Sequence, residues 1–249
     1  MNNLKCILLC AGYATRLYPL TENQPKALLS VGNKAIIDHI LENVGRVHAV
    51  DQIYLVTNDR FYKHFNNWIN NTYKAKKPVE IINDHTKTNA DRLGAIGDVK
   101  YIVDKKKIKD NVMVIAGDNL FDFSLSTFYN YFKEKKSNLV AVHDIKEKTK
   151  AAKKYGVISL NKDNKIVEFE EKPEYPKTSL VSTGCYIFTK SAIQKINEYI
   201  KSHRVDNPGD FLKWLMQKEH IYGYKFSENW FDIGSFEALE EAYNAYVRK

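Results

Sequence analysis

Apolar residues follow two different periods along the chain. The continuous run Leu4–Cys10 predicts a strand buried on both faces. Over Lys34–Val47, apolar residues fall at positions 36, 37, 40, 41, 44 and 47, the spacing of one helical face. Gln52–Thr57 is β-branched and aromatic and predicts a strand. A helix over Phe61–Tyr73, a strand over Val79–Ile82 and a helix over Ala90–Val103 follow, then a buried strand over Val112–Ala116. Ser124–Lys136 predicts a helix with Ser124 as its N-cap. This alternation argues for a mainly parallel sheet with helices on both faces, a Rossmann-like α/β fold.

After Asn138 the rhythm changes. Leu139–Asp144, Gly156–Leu160, Ile166–Glu170 and Ser182–Phe188 succeed one another across turn signals such as Lys162-Asp163-Asn164, which predicts a smaller, antiparallel region. Helices resume at Ser191–Lys201 and Gly209–Glu219, a strand follows at Ile221–Phe226, and a last helix runs from Ser235 to about Val247. No internal repeat or linker interrupts the chain, so 1–249 reads as one domain. Within it, 1–137 and 138–235 form two halves and 235–249 a closing helix.

Composition narrows this little. Hydrophobic residues are 44% and charged residues 27% of the 249 positions, which excludes a disordered or fibrous chain. No window approaches the roughly 18 to 20 apolar residues of a membrane span. The first apolar run leads into Tyr-Ala-Thr-Arg rather than a cleavage site. Cys6, Cys10 and Cys185 are an odd number without metal-site spacing; they read as small hydrophobes in a reducing cytoplasm. Lys and Arg total 38 against 30 acids, a formal net charge of +8. The lysines cluster in short runs at 74–77, 105–109, 133–136 and 146–154, several mixed with acids. They read as solvated turns and helix ends, not as a nucleic-acid stripe.

Ligands of open α/β sheets bind beyond the carboxyl ends of the strands. The first such end is Ala11-Gly12-Tyr13-Ala14-Thr15-Arg16-Leu17-Tyr18-Pro19-Leu20-Thr21, with Gln24-Pro25-Lys26 shortly after. Small residues let backbone N–H groups approach phosphate; Arg16 offers a bidentate fork and Lys26 a point charge. The plain alternative is an ordinary turn with a surface arginine. Neither G-x-G-x-x-G nor a Walker A sequence is present, so a dinucleotide fingerprint and a P-loop are excluded.

The segment Ala11–Leu29 resembles the signature of the nucleotidylyltransferases that activate sugar phosphates, A-G-G-x-G-T-R-L-x-P-L-T followed by P-K-x-L. It departs at Tyr13 and at Ala14, where the family has Gly. Other matches fall in the family's order. They are Gly117-Asp118-Asn119, Tyr155-Gly156-Val157 with Glu170-Glu171-Lys172-Pro173, Ser182–Phe188 and Trp230-Phe231-Asp232-Ile233-Gly234-Ser235. The resemblance spans residues 4 to about 240 and looks like a short form, without the C-terminal β-helix domain some relatives carry.

The resemblance implies a nucleotide-diphospho-sugar transferase fold with an antiparallel sugar-binding insert. It implies transfer of an NMP group from an NTP to a sugar 1-phosphate, with Mg²⁺ as cofactor and no catalytic triad. Arg16 would hold the leaving phosphates, Lys26 the α-phosphate, Lys172 the acceptor phosphate, and Asp118 and Asp232 the metal. Leu9, Ala11, Gly12, Tyr13, Ala14, Thr15, Asn83 and Gly94 would surround the nucleotide, with Gly97 a further match. Tyr155, Gly156, Glu171, Gly184 and Trp230 would meet the acceptor, Tyr155 and Trp230 also reading as packing residues. Residues 84–92 match no family pattern; Asp91 and Arg92 read better as caps of the following helix than as substrate contacts. The expected partners are NTP and a phosphorylated small molecule, without nucleic acid or membrane, and a homo-oligomer is compatible. A cytidylyltransferase loading a phosphocholine-like acceptor, and a non-catalytic homologue, are the competing readings.

Overall fold

The computed structural model describes residues 3–73, 77–203 and 206–247, so the Lys74 and Lys76 of the first basic run lie outside the described residues. The order is β1 (Leu4–Leu9), β2 (Ser30–Val31), β3 (Lys34–Ala35), α1 (Ile36–Gly45), β4 (Val50–Thr57), α2 (Asp59–Asn71), β5 (Val79–Asn83) and α3 (Ala95–Lys106). It continues with β6 (Asn111–Ala116), β7 (Asn119–Phe121), α4 (Leu125–Lys135), β8 (Asn138–Asp144), β9 (Gly156–Leu160), β10 (Ile166–Glu171) and β11 (Leu180–Phe188). It closes with α5 (Lys190–Tyr199), α6 (Pro208–Leu215), β12 (Ile221–Phe226), β13 (Trp230–Asp232) and α7 (Phe236–Val247). Among these helices none is long and apolar enough to cross a membrane.

Nine strands form one sheet. Its parallel part runs β5-β4-β1-β6, with the order reversing at β1. Strand β11 lies antiparallel to β6; β8 flanks its other edge, with β12 parallel to β8. The β9–β10 hairpin continues the sheet beside the first half of β11. The antiparallel strands expected as an insert are therefore continuous with the main sheet.

Alternation along the strands sorts the core into two layers. Cys6 and Leu8 of β1 and Met113 and Ile115 of β6 face α1, α2 and α4. Ile7, Val112 and Val114 face α3, α5 and α6. Both layers bury the strand residues almost fully, which is why those strands read as unbroken apolar runs.

Local chemistry sets several boundaries. Helix α2 begins at Asp59, two residues before its apolar pattern, because Asn58 caps it by accepting from the Phe61 N–H at 3.0 Å. Ser124 caps α4 as expected, accepting from Thr127 N–H at 3.2 Å. Helix α3 starts at Ala95 rather than Ala90, because the Asp91 carboxylate binds the N–H groups of Lys87 and Thr88 and closes a turn. Asp91 is thus no cap of α3, and Arg92 reaches away to Asp206. Lys34 and Ala35 pair with β2 in a small hairpin instead of opening α1.

Beyond β6 the chain forms a second small ribbon. Strand β7 pairs antiparallel with β13, Trp230 opposite Phe121 and Asp232 opposite Asn119. Beneath it Phe123 is fully buried, stacked on Phe121 at 4.5 Å and on Phe226 at 4.3 Å, and Phe128 meets it edge-on at 5.9 Å. Replacing Phe123 by Ala should cost about 3–5 kcal/mol in urea-induced unfolding, with an unchanged slope, because the site cannot collapse around the lost ring.

Candidate active site

A cavity of about 590 Å³ opens at the carboxyl ends of β1 and β6, where the strand order reverses. The loop after β1 forms one wall. It is held from behind: Cys10 N–H donates to Val56 O at 2.9 Å, and the Asn58 amide donates to Ala11 O at 2.9 Å. One residue thus caps α2 and fixes the loop. Ala14 is left-handed, φ 48°, and its carbonyl accepts from the Thr21 hydroxyl at 2.8 Å. That conformation explains the family's Gly at this position. Thr15–Leu17 then make one tight helical turn, anchored by buried Leu17, which carries Arg16.

Two carboxylates share the floor. Asp118 follows β6 and Asp232 ends β13; the Ile233 N–H donates to the Asp118 carbonyl at 3.0 Å, which ties their backbones together. Lys26 Nζ lies 2.7 Å from Asp118 Oδ2, its side chain only 15% exposed. Burial opposes ionisation of Asp118, but the Lys26 ammonium and hydrogen bonds from Lys26 and Asn119 prevail and hold its carboxyl below the usual range. Burial and the Asp118 charge push Asp232 up, against the pull of Lys26, Lys154 and Arg16. Gly234 stands beside Asp232 and the Arg16 guanidinium: a Cβ there would lie in ordinary contact, 3.7 Å from both Arg16 Nη2 and Asp232 Oδ2.

Strands β9, β10 and β11 build the opposite wall. Glu171 is packed against Gly156 and Gly209; a Cβ on Gly156 would come within 2.5 Å of the Phe169 ring, and one on Gly209 would collide with the Glu171 carboxylate. Burial raises the Glu171 carboxyl, with Lys172 pulling the other way. Lys172 itself is left-handed, φ 45°, with its ammonium 3.9 Å from Glu171. Gly184, φ 73°, kinks β11 where its register shifts, and a Cβ there would press on Ala116 and Asn119. The Trp230 indole donates to Asn119 Oδ1 at 2.6 Å and tilts against Tyr155 at 5.2 Å, so both rings pack and also line the cavity.

The cavity gathers most residues singled out from sequence: Leu9, Gly12, Tyr13, Ala14, Thr15, Arg16, Lys26, Asp118, Tyr155, Gly156, Glu171, Lys172, Gly184, Trp230 and Asp232. Ala11, Asn83, Gly94 and Gly97 do not line it. Asn83 instead donates to Asp59 at 2.8 Å and accepts from His85 N–H at 2.8 Å. Polar wall residues that the sequence reading does not place in the site include Asn89, Arg92, Lys154 and Asn207. Lys154 Nζ stands 4.8 Å above the Tyr155 ring. Its signal was hidden in a basic run; that of Asn89 was its place five residues before Gly94.

Fold and site together define a Rossmann-like α/β protein whose switch-point cavity is lined by cations and two mutually repelling carboxylates. The nucleotidyl transferase family model matches residues 5–249, and the chain belongs to that family. It is 33% identical over 238 residues to the bifunctional protein GlmU of Methanocaldococcus jannaschii, covering 93% of this chain and 51% of that protein. The chain thus spans about half the length of the curated relatives it matches. A UDP-glucose pyrophosphorylase solved with UDP-glucose superposes with TM-score 0.83 at 22% identity, covering 99% of both chains. A provisionally named glucose-1-phosphate thymidylyltransferase from Bacillus anthracis, solved with sucrose, gives TM-score 0.85 at 24% identity, covering 99% and 96%.

Two predictions follow from this geometry. Ala14→Gly should raise stability by up to about 1 kcal/mol by relieving the left-handed Ala, read by urea unfolding. The second concerns Asp84 and Asp98, both buried behind the cavity wall. Burial and the charge of Asp84 push Asp98 up to about 8, so the folded pair holds a proton the unfolded chain releases. The stability this supplies is full below the ordinary carboxylate range and is lost as pH rises toward about 8. Asp98→Asn should flatten that decline in unfolding experiments across the same range.

Proposed function

We propose that the protein transfers a nucleotidyl group from an NTP to a sugar 1-phosphate, releasing pyrophosphate. One observation carries this reading: Arg16, Lys26, Lys154, Lys172, Asp118 and Asp232 all meet in a single switch-point cavity. In the reaction an acceptor phosphate oxygen attacks the α-phosphorus while the bond to the leaving pyrophosphate breaks. The nucleophile is already ionised at neutral pH, so no general base is required. What remains is to position two polyanions and neutralise their charge.

The loop after β1 takes the NTP in this reading. Its backbone from Leu9 through Ala14, with Thr15, cradles base and phosphates, Arg16 holds the leaving phosphates, and Lys26 lies by the α-phosphate. Asn89, standing five residues before Gly94 and lining the cavity, takes the base-reading role in place of Asn83, which does not line it. Lys172 meets the acceptor phosphate, Glu171 and the backbone at Gly156 and Gly184 meet acceptor hydroxyls, and Tyr155 and Trp230 flank the ring. Residues 1–137 then serve the NTP, 138–235 the acceptor, and the helix within 235–249 closes the site.

Asp118 and Asp232 fit Mg²⁺. They offer hard oxygen donors, and their mutual repulsion, seen in the raised Asp232, is what a divalent cation relieves. When bound, the ion supplies charge neutralisation at the α-phosphorus. A reducing cytoplasm suits the three cysteines, which are buried free thiols. Acids break up the basic runs: Lys106, Lys150 and Lys153 are paired with nearby glutamates, which supports reading those runs as solvated surface.

A phosphocholine-like acceptor fits this wall less well. A quaternary ammonium needs open aromatic faces, and Lys154 already stands over Tyr155. Asp118→Asn and Asp232→Asn should each leave a folded protein whose Mg²⁺-dependent pyrophosphate release falls about 100-fold or more. Near-wild-type turnover in both would remove the metal assignment.

A further inference from the structure

The turn before α3 departs from the pattern the rest of the chain resembles, and its hydrogen bonds are unusually complete. Asp91 Oδ1 accepts from Thr88 N–H at 2.8 Å and from the Thr88 hydroxyl at 3.0 Å, and Oδ2 accepts from Lys87 N–H at 3.0 Å. Asn89 sits within this locked turn, on the cavity wall. Arg92 then does two things. Its Nη1 donates to Asn89 Oδ1 at 3.0 Å. Its Nη2 donates to both carboxylate oxygens of Asp206 at 3.1 Å, and Nε adds a third bond at 3.3 Å. Asp206 is itself fixed, its carbonyl accepting from Ala95 N–H at 2.8 Å.

A guanidinium has five donors and no acceptor. The partner therefore decides which way the Asn89 amide points: its carbonyl must face Arg92 and its NH₂ must face away. Among the described residues no hydrogen bond uses the Asn89 NH₂. The Arg92–Asp206 pair is solvent-exposed, with side chains 43% and 56% accessible, and so contributes little stability. Its consequence is orientational.

We propose that Arg92, held by Asp206, is a positioning residue that turns Asn89 into a donor-only base reader and so selects NTPs with a keto edge. Uracil, thymine and guanine present a carbonyl oxygen where cytosine and adenine present an amino group. Two facing N–H groups leave both donors unpaired, which costs about 1–3 kcal/mol, or roughly 5- to 150-fold in affinity. This rests on the reading of Asn89 as the residue that meets the base.

The test is calorimetric titration of UTP, dTTP, GTP, CTP and ATP, each with Mg²⁺ and without acceptor, into the wild-type chain and its variants. The best keto nucleotide should bind about 10-fold or more tightly than CTP and ATP. Arg92→Ala should cut that ratio below about 3-fold, and Arg92→Lys, which still only donates, should restore part of it. Asn89→Asp, which only accepts, should turn the preference toward CTP and ATP; it reads the same proposal if Arg92→Ala does not fold. CTP or ATP bound as tightly as the best keto nucleotide by the wild type, or an unchanged ratio in a folded Arg92→Ala, would overturn the proposal. Binding of none of the five would instead overturn the nucleotide site itself.

Discussion

Two carboxylates facing one cavity repel each other, and the site is organised around that repulsion. Asp118 stays ionised because Lys26 lies against it; Asp232, left with the field of its neighbour, is pushed toward its neutral form. Arg16 and Lys154 reach the same region from separate walls, the loop after β1 and the approach to β9. In the proposed reaction the same balance admits two further polyanions. The resident charges are then not surplus: each carboxylate is a place for a cation, and each cation a place for phosphate.

The fold brings these charges together by a few backbone devices. The reversal of strand order at β1 leaves an open crevice. Gly117 lets β6 turn against the β1 loop, where a Cβ would collide with the Cys10 sulfur. The β7–β13 ribbon carries Asp232 from the far end of the chain back beside Asp118, and the Trp230–Asn119 hydrogen bond fixes its approach. Across the cavity, Gly156 and Gly209 leave the space that the Glu171 carboxylate occupies. Ala14 and Lys172 sit in left-handed backbone on facing walls, strain of the kind that collects at functional sites.

Much of this was legible in the residues. Fully buried strands such as β1 and β6 announce themselves as apolar runs, and Arg16, Lys26, Asp118 and Asp232 lie in motifs with fixed spacing. What was not legible depends on tertiary bonding. The start of α3 could not be read from its apolar period, because a side-chain carboxylate at Asp91 outcompetes the helix for two backbone N–H groups. The β7–β13 pairing joins residues about a hundred positions apart through three-residue strands, too short for a periodic signal. In sequence Asn83 reads as the base-side amide and Asn89 falls in a stretch without a pattern; only the course of the chain after β5 decides which reaches the cavity. Lys154 hid in a basic run because a lysine at a site and a solvated lysine look alike until the neighbouring ring is placed.

The central claim is that this cavity joins two phosphate-bearing substrates, and co-dependence tests it most directly. Pyrophosphate release should be followed for four NTPs, each alone and with a panel of sugar 1-phosphates, phosphocholine and phosphonates, in Mg²⁺. The account predicts release only when an NTP and a sugar 1-phosphate are both present, with the NDP-sugar formed in equal amount. Release without any acceptor, release with phosphocholine in preference to every sugar 1-phosphate, or no release with any pair would contradict it.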